Sequence, residues 1–153
     1  MPSFGTTSLS RLARVHPDLV TVAKRVVNSY DCSILEGWRS HDLQDLYFSQ
    51  GKSTVRAGES WHNGWVWDDG KWVANPEGMS LAVDIAPYPI NWDDLPRFRV
   101  FAHFLIGVGY GLGINIRWGG DWNKDWNMKN QQFHDLPHFE LFNPGPVASL
   151  QEA

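Results

Sequence analysis

Cys32 is the single cysteine among the 153 residues, so the chain closes no disulfide on itself and builds no cysteine zinc cluster. It precedes an apolar stretch and is expected to be a buried thiol of structural role, not a nucleophile. Positive charge is in deficit as well: 13 Lys and Arg stand against 17 Asp and Glu, for a net charge of -4. That balance argues against nucleic acid as a partner, because non-specific binding rests on clustered Lys and Arg. No stretch approaches the roughly 18 uninterrupted apolar residues of a membrane span, so no membrane insertion is expected. Met1-Pro2-Ser3-Phe4-Gly5 has no basic segment leading into an apolar one, so no secretory signal peptide is expected either. The His-Glu-x-x-His helix motif is missing, and Gly51-Lys52-Ser53 is not a phosphate loop, because Leu46 stands where its first glycine belongs. No repeat or linker divides residues 1–153, which suit a single domain with a real core.

Tryptophan, by contrast, is abundant. Nine in a chain of this size cannot all be buried, so some are expected to line a cleft or cover a surface. After a short helical lead-in over Thr6–Val15, Pro17 and Asp18 open a helix whose Leu19, Val20, Ala23, Val26, Val27 and Tyr30 recur at helical spacing. A strand over Ser33–Trp38 is followed by a helix from Ser40, with Leu43, Leu46 and Tyr47 expected inward and Gly51 as its stop. Trp65 to Val73 has alternating aromatic arms around Asp69-Gly70, the pattern of a tight hairpin, and Asn75-Pro76-Glu77-Gly78 closes it. Pro96 sits in the first turn of a long helix carrying Phe98, Phe101, Ala102, Leu105 and Val108 toward the core; Gly107 to Gly113 are expected to loosen and end it. Ile114–Trp118 follows as a strand, Gly119–Gln132 as a polar loop, and residues 142–153 as a short tail.

Chemistry-bearing side chains concentrate in Phe133-His134-Asp135-Leu136-Pro137-His138-Phe139-Glu140-Leu141. Pro137 disfavours a helix, and beyond it Phe139 and Leu141 point one way, His138 and Glu140 the other. Asp135 lies close enough upstream to act beside His138 without binding the same ion. In Ser80–Tyr88, Leu81, Val83 and Ile85 form one strand face, and Asp84 stands between Ala82 and Ala86 on the other. A mid-strand carboxylate is costly unless it is paired or bound to a metal; Arg117 is the candidate ion-pair partner. His62, Asp84 and His138 together are two imidazoles and a carboxylate, a set that suits catalytic zinc with a fourth position left for water.

Ser60-Trp61-His62, Ser80-Leu81-Ala82-Val83-Asp84-Ile85-Ala86-Pro87-Tyr88, Arg117-Trp118-Gly119-Gly120-Asp121-Trp122 and Asp135-Leu136-Pro137-His138-Phe139-Glu140 resemble the zinc peptidases that cut peptidoglycan stem peptides. That family comprises D-alanyl-D-alanine carboxypeptidases and L-alanyl-D-glutamate endopeptidases, many bacteriophage endolysins among them. The resemblance implies a small α+β domain of the hedgehog/DD-peptidase type, an antiparallel sheet with helices packed against it. It also implies Zn2+ held by His62, Asp84 and His138, Asp135 as the catalytic carboxylate, Arg39 holding substrate or its developing negative charge, and Ser60 touching substrate. Glu140 is the alternative base, otherwise a supporting carboxylate. The implied activity is that of an endolysin cutting the L-alanyl-D-glutamate bond, acting as a monomer on bacterial peptidoglycan after release from the host cytoplasm. A D-alanyl-D-alanine carboxypeptidase is the near alternative, and a non-catalytic wall-binding module, suggested by the tryptophans, the distant one. His62 and Asp84 lie further apart along the chain than is usual in relatives. The excess is assigned to an inserted Trp-rich hairpin over residues 65–78, expected at the cleft rim as an aromatic wall; Asp68 and Asp69 are set aside as ligands because they fall in its turn.

Overall fold

Alternation along two short strands sets the architecture. In β4 (Ala82–Pro87), Val83 and Ile85 are buried in the core, and Asp84 faces the other way. In β6 (His138–Leu141), Phe139 and Leu141 join the same core while His138 and Glu140 take the opposite face. The two strands pair antiparallel, with Asp84 opposite His138 and Val83 opposite Phe139. On the far side of β4 lies β1 (Cys32–Glu36), and on the far side of β6 lies β5 (Ile116–Trp118), giving one antiparallel sheet in the order β1-β4-β6-β5. The computed structural model describes residues 1–147; the tail expected over 142–153 therefore lies, from 148 onward, outside the described residues.

Two helices cover the apolar face. α1 (Thr6–Arg11), the short lead-in, ends before the Val15 expected from sequence. α2 (Pro17–Val27) starts on Pro17, with the His16 ring accepting a hydrogen bond from the Asp18 N–H, and buries Leu19, Val22, Ala23, Val26 and Val27. α3 (His41–Ser49) is capped by the Ser40 hydroxyl, which accepts from Leu43 N–H. α4 (Leu95–Gly111), capped by Asp94, buries Phe98, Phe101, Ala102, Leu105 and Ile106; it packs on α2 and on β4 and β5. It runs on through Gly107 and Gly109, because tertiary packing outweighs the weak helix propensity of glycine. Cys32 is buried in β1, and burial, with Asp31 beside it, pushes its thiol up to about 12, the state of an inert structural thiol.

α3 departs from expectation. Leu46 is 49% exposed, and the side chain it turns inward is Gln44, which is fully buried. β2 (Trp65–Asp68) and β3 (Lys71–Ala74) form the expected hairpin; Asp69 and Gly70 both have positive φ, 45° and 78°, the two-residue turn whose twist matches paired strands. Trp65 stacks on Trp61 at 4.9 Å, while Trp72 meets the His16 ring edge-on at 5.6 Å and donates from Nε1 to the Pro144 carbonyl at 3.1 Å. The hairpin thus packs over the start of α2 and the chain after β6.

Candidate active site

The register of β4 and β6 places Asp84 beside His138 on the open face of the sheet. His62 arrives from the loop before β2. That loop is pinned by hydrogen bonds from Arg39 N–H to the His62 carbonyl, from Leu81 N–H to the Trp61 carbonyl, and from the buried Asn63 amide to the Arg39 carbonyl. Three atoms then converge. His62 Nε2 lies 3.1 Å from Asp84 Oδ1 and 3.1 Å from His138 Nδ1, and His138 Nδ1 lies 3.3 Å from Asp84 Oδ1.

The outer hydrogen bonds decide what those three atoms are. His62 Nδ1 faces the Gly37 carbonyl at 2.8 Å, an acceptor only, so Nδ1 carries the hydrogen and Nε2 presents a lone pair. His138 Nε2 faces Glu140 Oε1 at 2.9 Å and donates to it, so its Nδ1 presents a lone pair too. Glu140 is held in turn by Arg117 Nη2 at 2.9 Å, the residue directly opposite it across β5 and β6. Burial opposes ionisation of Glu140, but its bonds to His138 and Arg117 keep its carboxyl below the ordinary range. Arg117 therefore pairs with Glu140 and not with Asp84.

Three acceptors facing one another require a cation. In the metal-free protein the cation is a proton. Burial opposes charge on His138, but the Asp84 and Glu140 carboxylates push it up to about 10. Burial likewise opposes charge on Asp84, yet the two imidazoles hold its carboxyl well below the usual range. A divalent ion fits the same place. A tetrahedral ion with bonds of about 2.0–2.1 Å to nitrogen and oxygen sets its ligands about 3.3 Å apart, close to the separations above. Two imidazoles, one carboxylate and hydrogen-bonded outer partners are donors suited to a divalent metal ion. His134 stands apart: its Nε2 is bonded to the Met128 carbonyl at 2.8 Å and braces the loop.

Asp135 enters from the turn before β6, with Oδ2 4.0 Å from His138 Nδ1. Gly119 makes this approach possible. A Cβ there would lie 2.2 Å from the Asp135 carbonyl oxygen, which no side chain tolerates, and the Gly119 carbonyl accepts the Asp135 N–H at 2.8 Å. Burial lifts the Asp135 carboxyl above its ordinary value, and although His138 lowers it, nearby Asp84 raises it further. Its carboxyl therefore holds a proton more readily than an ordinary aspartate.

These residues lie in a cleft of about 570 Å³ with Tyr47, Trp61, Trp122 and Phe133 on its walls; no hairpin residue lines it. Trp122 tilts over the His138 ring at 5.4 Å, and Phe133 is exposed at the lip. Arg39 also borders the cleft, but its guanidinium is clamped by Glu36, at 2.9 and 2.6 Å, and donates to Gln44 Oε1 at 2.8 Å. Burial disfavours its charge, and the Glu36 pairing more than restores it. Ser60 borders the cleft with its hydroxyl accepting the His62 N–H at 3.2 Å. Gln44 is the residue that sequence reasoning missed. A polar side chain on a short amphipathic helix reads as solvent-facing; the nearby Arg39, Ser53 and Val55 partners that draw it inward come from two other segments.

Comparison with known proteins places this geometry. Residues 2–142 match the family described as phage L-alanyl-D-glutamate peptidase. The L-alanyl-D-glutamate peptidase of Escherichia phage T5 is 32% identical over 146 residues, covering 90% of this chain and 96% of that protein. The crystal structure of the Serratia marcescens L-Ala D-Glu endopeptidase ChiX has the same fold, with a TM-score of 0.64 and 24% identity over 92% of this chain and 90% of that one.

Proposed function

The chain belongs to the phage L-alanyl-D-glutamate peptidase family, and from that premise we propose that it is a zinc-dependent endolysin acting on peptidoglycan from inside the host once it reaches the wall. The reaction is hydrolysis of the L-alanyl-D-glutamate bond of stem peptides. The observation that carries the metal assignment is the meeting of His62 Nε2, His138 Nδ1 and Asp84 Oδ1, three lone-pair donors within 3.1–3.3 Å of one another.

When bound there, zinc supplies Lewis-acid chemistry, polarising a carbonyl and making water nucleophilic near neutral pH. The remaining work belongs to side chains. Asp135 takes a proton from the attacking water and returns it to the leaving nitrogen; its raised pKa and its place beside His138 suit both transfers. Arg39, held rigid by Glu36 and Gln44 at the border of the cleft, meets negative charge developing on the carbonyl oxygen. Ser60 accepts from the His62 N–H, and its own hydroxyl hydrogen remains for a substrate carbonyl. Trp122, Phe133, Tyr47 and Trp61 give an extended peptide apolar walls and exclude water.

Digestion of purified peptidoglycan, with mass spectrometry of the new termini, tests the reading. Expected are fragments with a new N-terminal D-glutamate, abolished by chelator and restored by zinc. Release of D-alanine alone would make the protein a carboxypeptidase. Retention on the wall without cleavage, indifferent to chelator, would make it a binding module.

A further inference from the structure

We propose that Lys52 selects the substrate by pairing with the free carboxylate of the glutamate that follows the scissile bond. This rests on the peptidase reading above and specifies which residue of this chain reads the acidic partner. An L-alanyl-D-glutamyl bond places a diacid immediately after the scissile nitrogen. One carboxyl continues the peptide and the other stays free and anionic. A cation on the cleft wall that no protein acid already matches is the natural partner for that group.

Three cationic side chains border the cleft: Arg39, Lys52 and Arg117. Arg39 is matched by Glu36 at 2.6 Å and Arg117 by Glu140 at 2.9 Å. Lys52 is exposed and makes no ion pair among the described residues; its ammonium lies 5.7 Å from the Tyr47 ring, the ring that Arg39 also covers at 4.9 Å. The two cations therefore flank one aromatic wall, Arg39 toward the reacting centre and Lys52 toward the opening. Glu59, the exposed acid on the same wall, accepts the Arg56 N–H and does not neutralise Lys52.

The Lys52 segment is built, not a loose loop. Lys52 N–H donates to the Tyr47 carbonyl at 2.9 Å. The buried Gln44 donates to Ser53 Oγ and the Val55 carbonyl at 2.9 and 2.7 Å while accepting from Arg39 at 2.8 Å. One buried amide thus ties the segment that bears the lysine to the arginine, fixing the backbone from which the free cation reaches.

The test uses two synthetic stem peptides, identical except that the free carboxylate of the D-glutamate is an amide in one, each cleaved by the zinc-loaded wild type and by Lys52→Met. The expected result is a loss of roughly 2- to 5-fold in kcat/KM on the carboxylate peptide, carried by KM, as for an exposed ion pair. The amide peptide should be unaffected, Lys52→Arg should restore the preference, and rising salt should erode it. Equal loss on both peptides, or none on either, overturns the inference while leaving the peptidase reading intact. Wild-type protein that cleaves neither overturns both.

Discussion

Proton release on metal uptake is the sharpest consequence of the site. The perturbation is pH. In the metal-free protein His138 keeps its proton up to about 10, held by Asp84 and Glu140 against the opposing effect of burial. Asp84, held below the ordinary carboxylate range, is ionised throughout. Zinc must therefore expel one proton from His138 at any pH below about 10. One proton per ion makes the affinity rise at least about tenfold, or about 1.4 kcal/mol, per pH unit, and so at least about a hundredfold from pH 7 to pH 9, with more where metal-bound water ionises as well. The stability of the metal-free fold moves the other way. A folded-state pKa above the unfolded value of about 6.5 contributes stability that is complete below that value and is lost as pH rises toward 10. The stabilisation gained by adding zinc thus widens from pH 7 to pH 9. Isothermal titration in buffers of different ionisation enthalpy measures the proton count, and thermal melts with and without zinc measure the widening. A count near zero, or an affinity flat across that window, would refute the assignment of His138 Nδ1 as a proton-blocked ligand atom.

Three further outcomes are expected. Asp135→Asn should bind zinc normally and lose about 10²- to 10⁴-fold in kcat; metal content by atomic absorption beside peptide turnover decides, and retained activity would remove Asp135 from proton transfer. Phe139 is fully buried behind His138, and Phe139→Ala should cost about 3–5 kcal/mol in urea unfolding; a loss below about 1 kcal/mol would mean that the sheet does not rest on this contact. Gly70 has φ 78° in the hairpin turn, so Gly70→Ala should cost roughly 1 kcal/mol. It should leave kcat/KM on a small peptide unchanged, because the hairpin lines no part of the cleft; reduced turnover with zinc retained would return the hairpin to the site.

Much of the site was legible because strand alternation is a local rule. Asp84 between two alanines, and His138 and Glu140 across from Phe139 and Leu141, disclose their faces without any knowledge of the partner strand. The Asp69-Gly70 turn is equally local, since it depends on two residues that tolerate positive φ. What stayed hidden depends on contacts between distant segments. α3 is short, and its apolar Leu46 reads as inward until the Gln44 partners are known. The hairpin's own pattern says that it forms and not where it packs; His16 and Pro144, far apart along the chain, decide that. Arg39 was legible as a cleft residue, but its second clamp, Gln44, appears only once α3 has packed against the 53–55 segment.

The site-facing groups and the core are alternate residues of the same strands, which explains how a loop-rich chain holds a defined site. Glu36 pairs with Asp84 and Asp84 with His138, while Glu140 pairs with Arg117, so the open face of the sheet carries a continuous row of charges and imidazoles. A slip of β6 by one residue would put Phe139 opposite Asp84 and drive His138 and Glu140 into the apolar core. The free energy that buries Val83, Ile85, Phe139 and Leu141 therefore also enforces the ligand geometry. Only His62 reaches the site by another route, and its loop carries a correspondingly dense set of anchors at Gly37, Arg39, Ser60 and Leu81. Precision at the candidate metal position is supplied by packing for Asp84 and His138 and by backbone hydrogen bonds for His62.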